Sequence, residues 1–255
     1  MAISFSFENM TAVVTGSAKG LGKSIVCKLA EGGCQAIAIN DLPRNGELAE
    51  KTAAEVKAKG SNPLIVLADV STEKGARRLI DTSFQAWGKI DLLVNNAGIC
   101  FLGEIWDEPE EQFKQNMFVN LYSTFLCMKY ASQVMKARKS GCIVNISSTA
   151  GFTGGTMSPS YGATKAAVIA LTRNAARTLA PFGIRVNSVA PGYMETDMVR
   201  SVFFDADFRQ ERWSQIPLGR VAQPEEVADA VIFLLSSHAS YIAGDILIAS
   251  GGRTT

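Results

Sequence analysis

A short β-branched run, MTAVVT at residues 10–15, stops at a glycine-rich turn, TGSAKGLG from Thr15 to Gly22, and passes into a helical pattern with Ile25, Leu29 and Ala30 on one side. Few arrangements accommodate that order. A buried strand that breaks at glycines and re-enters a helix opens a βαβ unit. The glycines let the backbone approach an anionic group seated on the helix N-terminus, whose first N–H groups have no intrahelical partner. The spacing is G-x-x-x-G-x-G, which differs from the commonest dinucleotide-binding fingerprint.

The unit then repeats. AIAIN at 36–40 ends at Asp41, PLIVLAD at 63–69 ends at Asp69, and IDLLVN at 90–95 runs into Asn96, Ala97 and Gly98. CIVNIS at 142–147 delivers Ser148, IRVNSVA at 184–190 precedes Pro191 and Gly192, and DILIA at 245–249 closes the series. Helical patterns separate these runs, including one that starts at DEPE (107–110) and is expected to reach about Lys136. Apolar strands without strict alternation indicate burial on both faces, hence a parallel sheet covered by helices, and right-handed crossovers make it doubly wound. The prediction is an α/β Rossmann-like sheet of seven strands in a single domain spanning 1–255. The 255 residues, 47% of them hydrophobic with no break in composition, suffice for one large core.

The residues that carry chemistry fall at strand C-terminal ends, the rim where such sheets bind ligands. Tyr161 and Lys165 are four apart, so on a helix they share a face, and an ammonium beside a phenol favours phenolate. Ser148 precedes Tyr161 by thirteen positions and can hydrogen-bond a carbonyl or alcohol oxygen while Tyr161 exchanges a proton with it. A net charge of +1 with interspersed signs gives no basic face for nucleic acid and no polybasic membrane patch. Neither a signal-like N-terminus nor a membrane-length apolar run is present, so a cytoplasmic protein is expected. The five cysteines form no C-x-x-C pair and there is one histidine, His238, so no metal site is expected. His238, in SSHAS after an apolar helix, reads as a cap or surface residue.

Taken together, Thr-Gly-x-x-x-Gly-x-Gly at 15–22, Asp69, Asn-Asn-Ala-Gly at 95–98, Asn120, Ser148, Tyr161, Lys165, Asn187, Pro191-Gly192 and Thr196 resemble the short-chain dehydrogenase/reductase family over nearly the whole chain. The resemblance implies an alcohol dehydrogenase or carbonyl reductase in which Asn120, Ser148, Tyr161 and Lys165 are catalytic. It also implies a nicotinamide cofactor contacted by Gly16, Ser17, Lys19, Gly20, Leu21 and Gly22 in the turn, with Asp69 and Val70 near the adenine. Asn96, Ala97 and Gly98 would pass by the adenosine ribose, Pro191, Gly192 and Thr196 would lie by the nicotinamide, and Tyr161 and Lys165 would reach its ribose. Asn120 is expected to steady a water linking Lys165 to solvent. Ser147, next to Ser148, is expected to be structural, because successive strand residues point to opposite faces.

A carboxylate after the second strand accepts from ribose hydroxyls and repels a 2′-phosphate, so Asp41 argues for NAD, whereas Lys19 and Arg44 leave NADP as the alternative. Counted from Gly16, Asn40 holds the position usual for the acid, and Asp41 takes it if Gly32 to Gln35 carries one extra residue. The expected substrate is a small hydroxy or keto compound, a polyol or a sugar. The alternative is a 3-oxoacyl thioester on acyl carrier protein or CoA, and a silent nucleotide-binding scaffold is the reading from another class. Lys139 is offered as a basic residue for an acidic carrier, with Phe182 where a second cation is expected. Residues 193–215 are expected to form the substrate lid. A homotetramer or homodimer is expected through helices bearing Ala131, Val134, Ala166, Ala167 and Ala170. The C-terminal ASGG at 249–252 departs from the family's more usual acid before the two glycines.

Overall fold

The computed structural model describes residues 5–155, 158–198, 211 and 213–253. Seven parallel strands form one sheet in the order β3-β2-β1-β4-β5-β6-β7. They are β1 Thr11–Val14, β2 Ala36–Asp41, β3 Asn62–Leu67, β4 Leu92–Asn95, β5 Gly141–Ile146, β6 Ile184–Pro191 and β7 Ile246–Ala249. The chain winds outward from β1 through β2 to β3, returns to the other side of β1 at β4, and continues to β7. The reversal lies between β1 and β4, where strand ends splay and leave a crevice.

Side chains alternate along each strand and build two separate cores. Ala12, Val14, Ile37, Ile39, Val94 and Val144 pack against α1 (Gly20–Glu31), α2 (Gly46–Ala58) and the penultimate helix. Val13, Ala38, Val66, Leu93, Ile143 and Val186 face α3 (Glu73–Trp87), α5 (Ser123–Arg138) and α7 (Pro159–Leu179). Helix bounds follow local chemistry. Thr72 accepts from Gly75 N at 3.0 Å to start α3, and Gly88, with φ +68°, ends it. The helix preceding β7, α8 (Pro224–Leu235), has proline in its first turn and a capping box in which Glu226 Oε2 accepts from Gln223 N at 2.8 Å.

The helix expected from 107–110 to about Lys136 is interrupted. It comprises α4 (Glu110–Asn116), a π-helical stretch at Met117–Tyr122 and then α5. A wider turn there rotates Asn120 into the protein, where it is fully buried. The short α6 (Ala150–Thr153) lies against α7.

Lys139 and Phe182 sit just before β5 and β6, at the strands' N-terminal ends. A six-residue strand is about 20 Å long, so both lie at the edge opposite Ser148. Lys136 there covers the Phe182 ring at 4.3 Å. Neither residue bears on the reaction rim, which corrects the expectation built on them. Proximity in sequence to the Ser148 strand was proximity to its wrong end.

Candidate active site

The strand C-termini border a cleft of about 1780 Å³. Single small-molecule pockets are commonly ~300–1,000 Å³, so there is room for an extended molecule and a second, smaller one. Of the residues expected at the site, Gly16, Lys19, Gly20, Leu21, Asp41, Asp69, Val70, Asn96, Ala97, Gly98, Ser148, Tyr161, Lys165, Pro191, Gly192 and Thr196 line it. Ser17 and Gly22 do not, and Asn120 lies behind the wall.

The glycine turn is shaped by its contacts. At Gly16, with φ +61°, a Cβ would come within 2.9 Å of Ala97 Cα. Only glycine allows β1 and β4 to end this close together. At Gly20 a Cβ would find only Thr196 Cγ2, at 3.9 Å, so the cradle before the α1 N-terminus stays open. No side chain caps that terminus, and its N–H groups suit a pyrophosphate. Gly22 serves packing instead, since a Cβ there would lie 2.3 Å from Gly16 O. Ser17 is fully buried, donating to Val14 O at 2.8 Å and accepting from Asn40 N at 3.1 Å. Its hydroxyl holds the turn on the sheet and is turned away from the cleft, which corrects its assignment as a cofactor contact.

Thr15 joins the two strand tips. Its hydroxyl accepts from Asn96 N at 2.9 Å and Ala97 N at 3.0 Å, while Asn96 Nδ2 donates to Thr15 O at 3.0 Å and Gly16 O at 2.8 Å. The Asn96 side chain therefore acts on the turn, and Ala97 and Gly98 present backbone to the cleft.

At the end of β2, Asn40 turns into the protein and donates from Nδ2 to Val66 O at 2.9 Å and Ala68 O at 3.0 Å. Asp41 stands at the cleft, where Oδ2 accepts from Ala18 N at 3.1 Å and Oδ1 from Leu42 N at 2.9 Å and Asn45 Nδ2 at 2.7 Å. Three of roughly four acceptor positions on the carboxylate are thus taken, leaving one on Oδ2. Lys19 bridges to Asp197 at 3.0 Å across the cleft mouth, whereas Arg44 lines the cleft and forms no ion pair among the described residues. Asp69 is exposed and accepts from Ser71 N at 3.0 Å and Ser71 Oγ at 2.6 Å.

The other half of the cleft holds Ser148, Tyr161 and Lys165. Ser148 follows β5, Tyr161 and Lys165 stand on one face of α7, and Lys165 Nζ lies 5.6 Å from the Tyr161 ring centre. Nζ donates to Ile146 O at 2.8 Å. A Cβ on Gly98 would sit 3.6 Å from that Nζ and 3.2 Å from Asn120 Oδ1, so glycine there leaves space beside both. Burial lowers the Lys165 pKa to about 8, because a desolvated ammonium is costly. For Tyr161, burial is the largest influence and raises the phenol above its ordinary value, with Cys100 adding to it and a hydrogen bond from Ser148 opposing. The expected lowering by Lys165 is not what this arrangement delivers: the ammonium is turned to the Ile146 carbonyl, and burial sets the direction.

Asn120 is fully engaged by protein. Oδ1 accepts from Ile99 N at 2.8 Å, and Nδ2 lies within hydrogen-bond reach of Ile99 O at 2.9 Å, Asn116 Oδ1 at 3.1 Å and Thr164 Oγ1 at 3.2 Å. The chain continues from Asn116 Nδ2 to Ser160 Oγ at 2.6 Å and from Ser160 Oγ to Glu108 Oε1. Ser160 N also donates to Glu108 Oε2 at 3.2 Å. No side chain of α7's own N-cap residue caps the helix, so Glu108 does so one residue before Tyr161. Sequence reading missed Glu108, Asn116 and Ser160. Glu108 reads as an acid suited to a helix start, and its partner is 52 residues away with no local spacing to betray it.

Ser147 is buried, donating to Val189 O at 3.1 Å and accepting from Ser188 Oγ at 2.9 Å, in keeping with its structural reading. Asn187 likewise ties strand to loop, donating to Ile242 O at 2.8 Å and accepting from Asp245 N at 3.0 Å. His238 is exposed and meets the Phe5 ring edge-on at 5.5 Å. Of the expected lid, Tyr193, Met194 and Met198 line the cleft, and a bridge from Met194 to Ala222 fixes its start. Residues 199–210 and 212, with Phe203, Phe204 and Phe208, lie outside the described residues.

A family model described as enoyl-(acyl carrier protein) reductase matches residues 16–254. A cis-4-hydroxycyclohexanecarboxylate dehydrogenase from Sinomonas cyclohexanicum is 40% identical over 250 residues, covering 98% of each chain. A 3-oxoacyl-(acyl-carrier-protein) reductase from Staphylococcus aureus is 37% identical over 242 residues, covering 95% of this chain and 97% of its own. Among solved structures, a gluconate 5-dehydrogenase from Burkholderia cenocepacia in complex with NADP and tartrate superimposes with a TM-score of 0.92 at 35% identity, covering 98% of this chain and 97% of that one.

Proposed function

The chain belongs to the short-chain dehydrogenase/reductase family of NAD(P)-dependent oxidoreductases, and we propose that it interconverts a secondary alcohol and a ketone on a small hydroxy or keto compound. The carrying observation is the placement of Ser148, Tyr161 and Lys165 on one wall of the cleft whose other half ends in the open glycine cradle. The nicotinamide would supply or accept the hydride. Tyr161 holds the proton exchanged with the substrate oxygen, and Ser148, on the same wall of the cleft, would hold that oxygen beside it. Lys165, buried behind Tyr161, is within reach of a diol on the cleft side of Gly98, and its charge would then favour phenolate. Asn120 positions the Ile99 segment and α7 around that lysine, and through it a water could reach Nζ.

Gly16, Gly20 and the α1 N-terminus would take the pyrophosphate, Asp69 and Val70 the adenine, and Thr196, Pro191 and Gly192 the carboxamide end. Asp41, with one acceptor position facing the cleft, supports a preference for NAD, and Arg44 is the residue through which NADP would bind. The relatives acting on cis-4-hydroxycyclohexanecarboxylate and gluconate support a small hydroxylated substrate. The staphylococcal reductase supports the alternative, a 3-oxoacyl thioester. Residues 193–215 would be the lid over either.

The protein is proposed to be cytoplasmic and a homo-oligomer. Among the described residues no helix is long and apolar enough to cross a membrane. Ala131 and Val134 pack into the intrachain core and Ala166 is exposed, while Ala167 and Ala170 face outward beside the exposed rings of Phe118, Tyr122 and Phe125. These form a second, apolar groove suited to a copy of the same surface. The test of function is cofactor absorbance with NAD(H) and NADP(H) against gluconate, cis-4-hydroxycyclohexanecarboxylate, neutral alcohols, ketones and acetoacetyl-CoA. Turnover of a small alcohol or ketone is expected; turnover of the thioester alone would favour the alternative, and none with any member would support a silent scaffold.

A further inference from the structure

We propose that Arg253 is the anchor for a carboxylate on the substrate, so that the natural substrate class is a small hydroxy or keto acid. This deepens the reading above and rests on it. Arg253 follows β7 and lines the same cleft as Ser148 and Tyr161. Its guanidinium lies over the Tyr193 ring, 4.4 Å from the centroid, and Tyr193 stands just beyond β6, between the Ser148 strand and β7.

An aromatic ring beneath a guanidinium steadies it without consuming its N–H groups, which can then receive a carboxylate in a bidentate manner. Neighbouring parallel strands are ~4.8 Å apart, so the ends of β5 and β7 are separated by about 10 Å. That gap suits a molecule holding its carbinol at Ser148 and Tyr161 and its carboxylate a few bonds away.

Three other cations of the cleft are already engaged. Lys19 pairs with Asp197 at 3.0 Å, Lys114 with Glu110 at 2.6 Å, and Lys165 donates to Ile146 O. Arg44, which forms no ion pair among the described residues, lies just after β2, at the far end of the cleft from β7. On the β5–β7 side, where Lys165 is turned to a backbone carbonyl, Arg253 has no carboxylate paired to it among the described residues. The Ser250 carbonyl accepts from Arg253 N at 3.3 Å, which holds the arginine's backbone in the turn after β7.

The hydroxy acids of the panel above, each measured against its methyl ester, test the proposal. For wild type, kcat/KM is expected to be about 10- to 100-fold higher for the acid, the range a bidentate charge-assisted pair supplies. Arg253→Met should erase that ratio through KM, leaving the ester within about threefold, and Arg253→Lys should restore only part of it, because an ammonium lacks the fork. A binding arm does not require turnover: with cofactor present, cyclohexanecarboxylate should raise the wild-type Tm, and cyclohexylmethanol should not. Acid and ester turned over alike, or an Arg253→Met loss shared by both, would overturn the anchor while leaving the alcohol–ketone reading intact. Absent turnover of every member would sink that reading instead, and the binding arm then decides the anchor alone: a wild-type shift with the carboxylate that Arg253→Met loses supports it, and no shift overturns it.

Discussion

Lys165→Met should abolish turnover yet stabilise the fold at neutral pH. The lysine is 4% exposed, and its pKa is lowered from 10.5 to about 8 by burial. Every tenfold change in proton affinity corresponds to ~1.4 kcal/mol, so holding the ammonium in the native protein costs roughly 3 kcal/mol at pH 7. Methionine fills similar space without charge but forfeits the bond to Ile146 O, worth about 1.5–3 kcal/mol for a charged donor. A net gain of at most about 1.5 kcal/mol remains at pH 7. The pH dependence carries the sharper signature. Between about pH 8 and 10.5 the unfolded lysine still binds the proton that the native one has released, so this contribution makes wild-type stability rise with pH over that window.

The buried thiols work in the opposite sense. Cys34 and Cys127 are pushed up to about 12 and Cys142 to about 11 by burial, so unfolded thiols ionise first and the fold loses stability above about pH 9. Both proteins share that loss, and the wild-type minus variant difference isolates the lysine. Urea denaturation of each at pH 7, 8.5 and 10, at constant m-value, measures it. A variant that is less stable at pH 7 and parallel to wild type at every pH would refute the reasoning.

Three further outcomes follow from the same geometry. Asp41→Ser should erode the cofactor preference, expected to be about tenfold or more in favour of NAD(H), which corresponds to roughly 1.4 kcal/mol, and steady-state kinetics with both cofactors reads it; a wild-type preference for NADP(H) would count against Asp41. Glu108→Ala should cost about 1 kcal/mol of stability through the lost cap on α7 and lower kcat severalfold with little effect on KM, and an unchanged kcat would deny it a part in placing Tyr161. Light scattering at micromolar concentration should show a dimer or tetramer that Phe125→Glu dissociates; a monomeric wild type would contradict the assembly.

The sheet was legible because its signals are local. Seven apolar runs separated by helical patterns became seven parallel strands, each within one or two residues of its expected end. The rim followed from topology, since every strand delivers its C-terminal residue to one edge. Reading failed where a side chain's partner is distant. Ser17 lies inside the glycine motif yet bonds Asn40 across the sheet, and Glu108 reaches α7 from another segment. The π-helical turn at Asn120 has no glycine or proline to announce it. The Tyr161–Lys165 pair was visible as a spacing, but burial, which sets the direction of both pKa values, is a property of the packed protein.

Tyr161 is the proposed proton-exchanging group, and Tyr161→Phe tests that role most directly. With Ser148, Lys165 and the cleft unchanged, the variant should bind cofactor with wild-type affinity by fluorescence titration and lose at least ~100-fold in kcat, the lower end of a general acid–base contribution. Near-normal turnover in a variant that retains cofactor binding would contradict it.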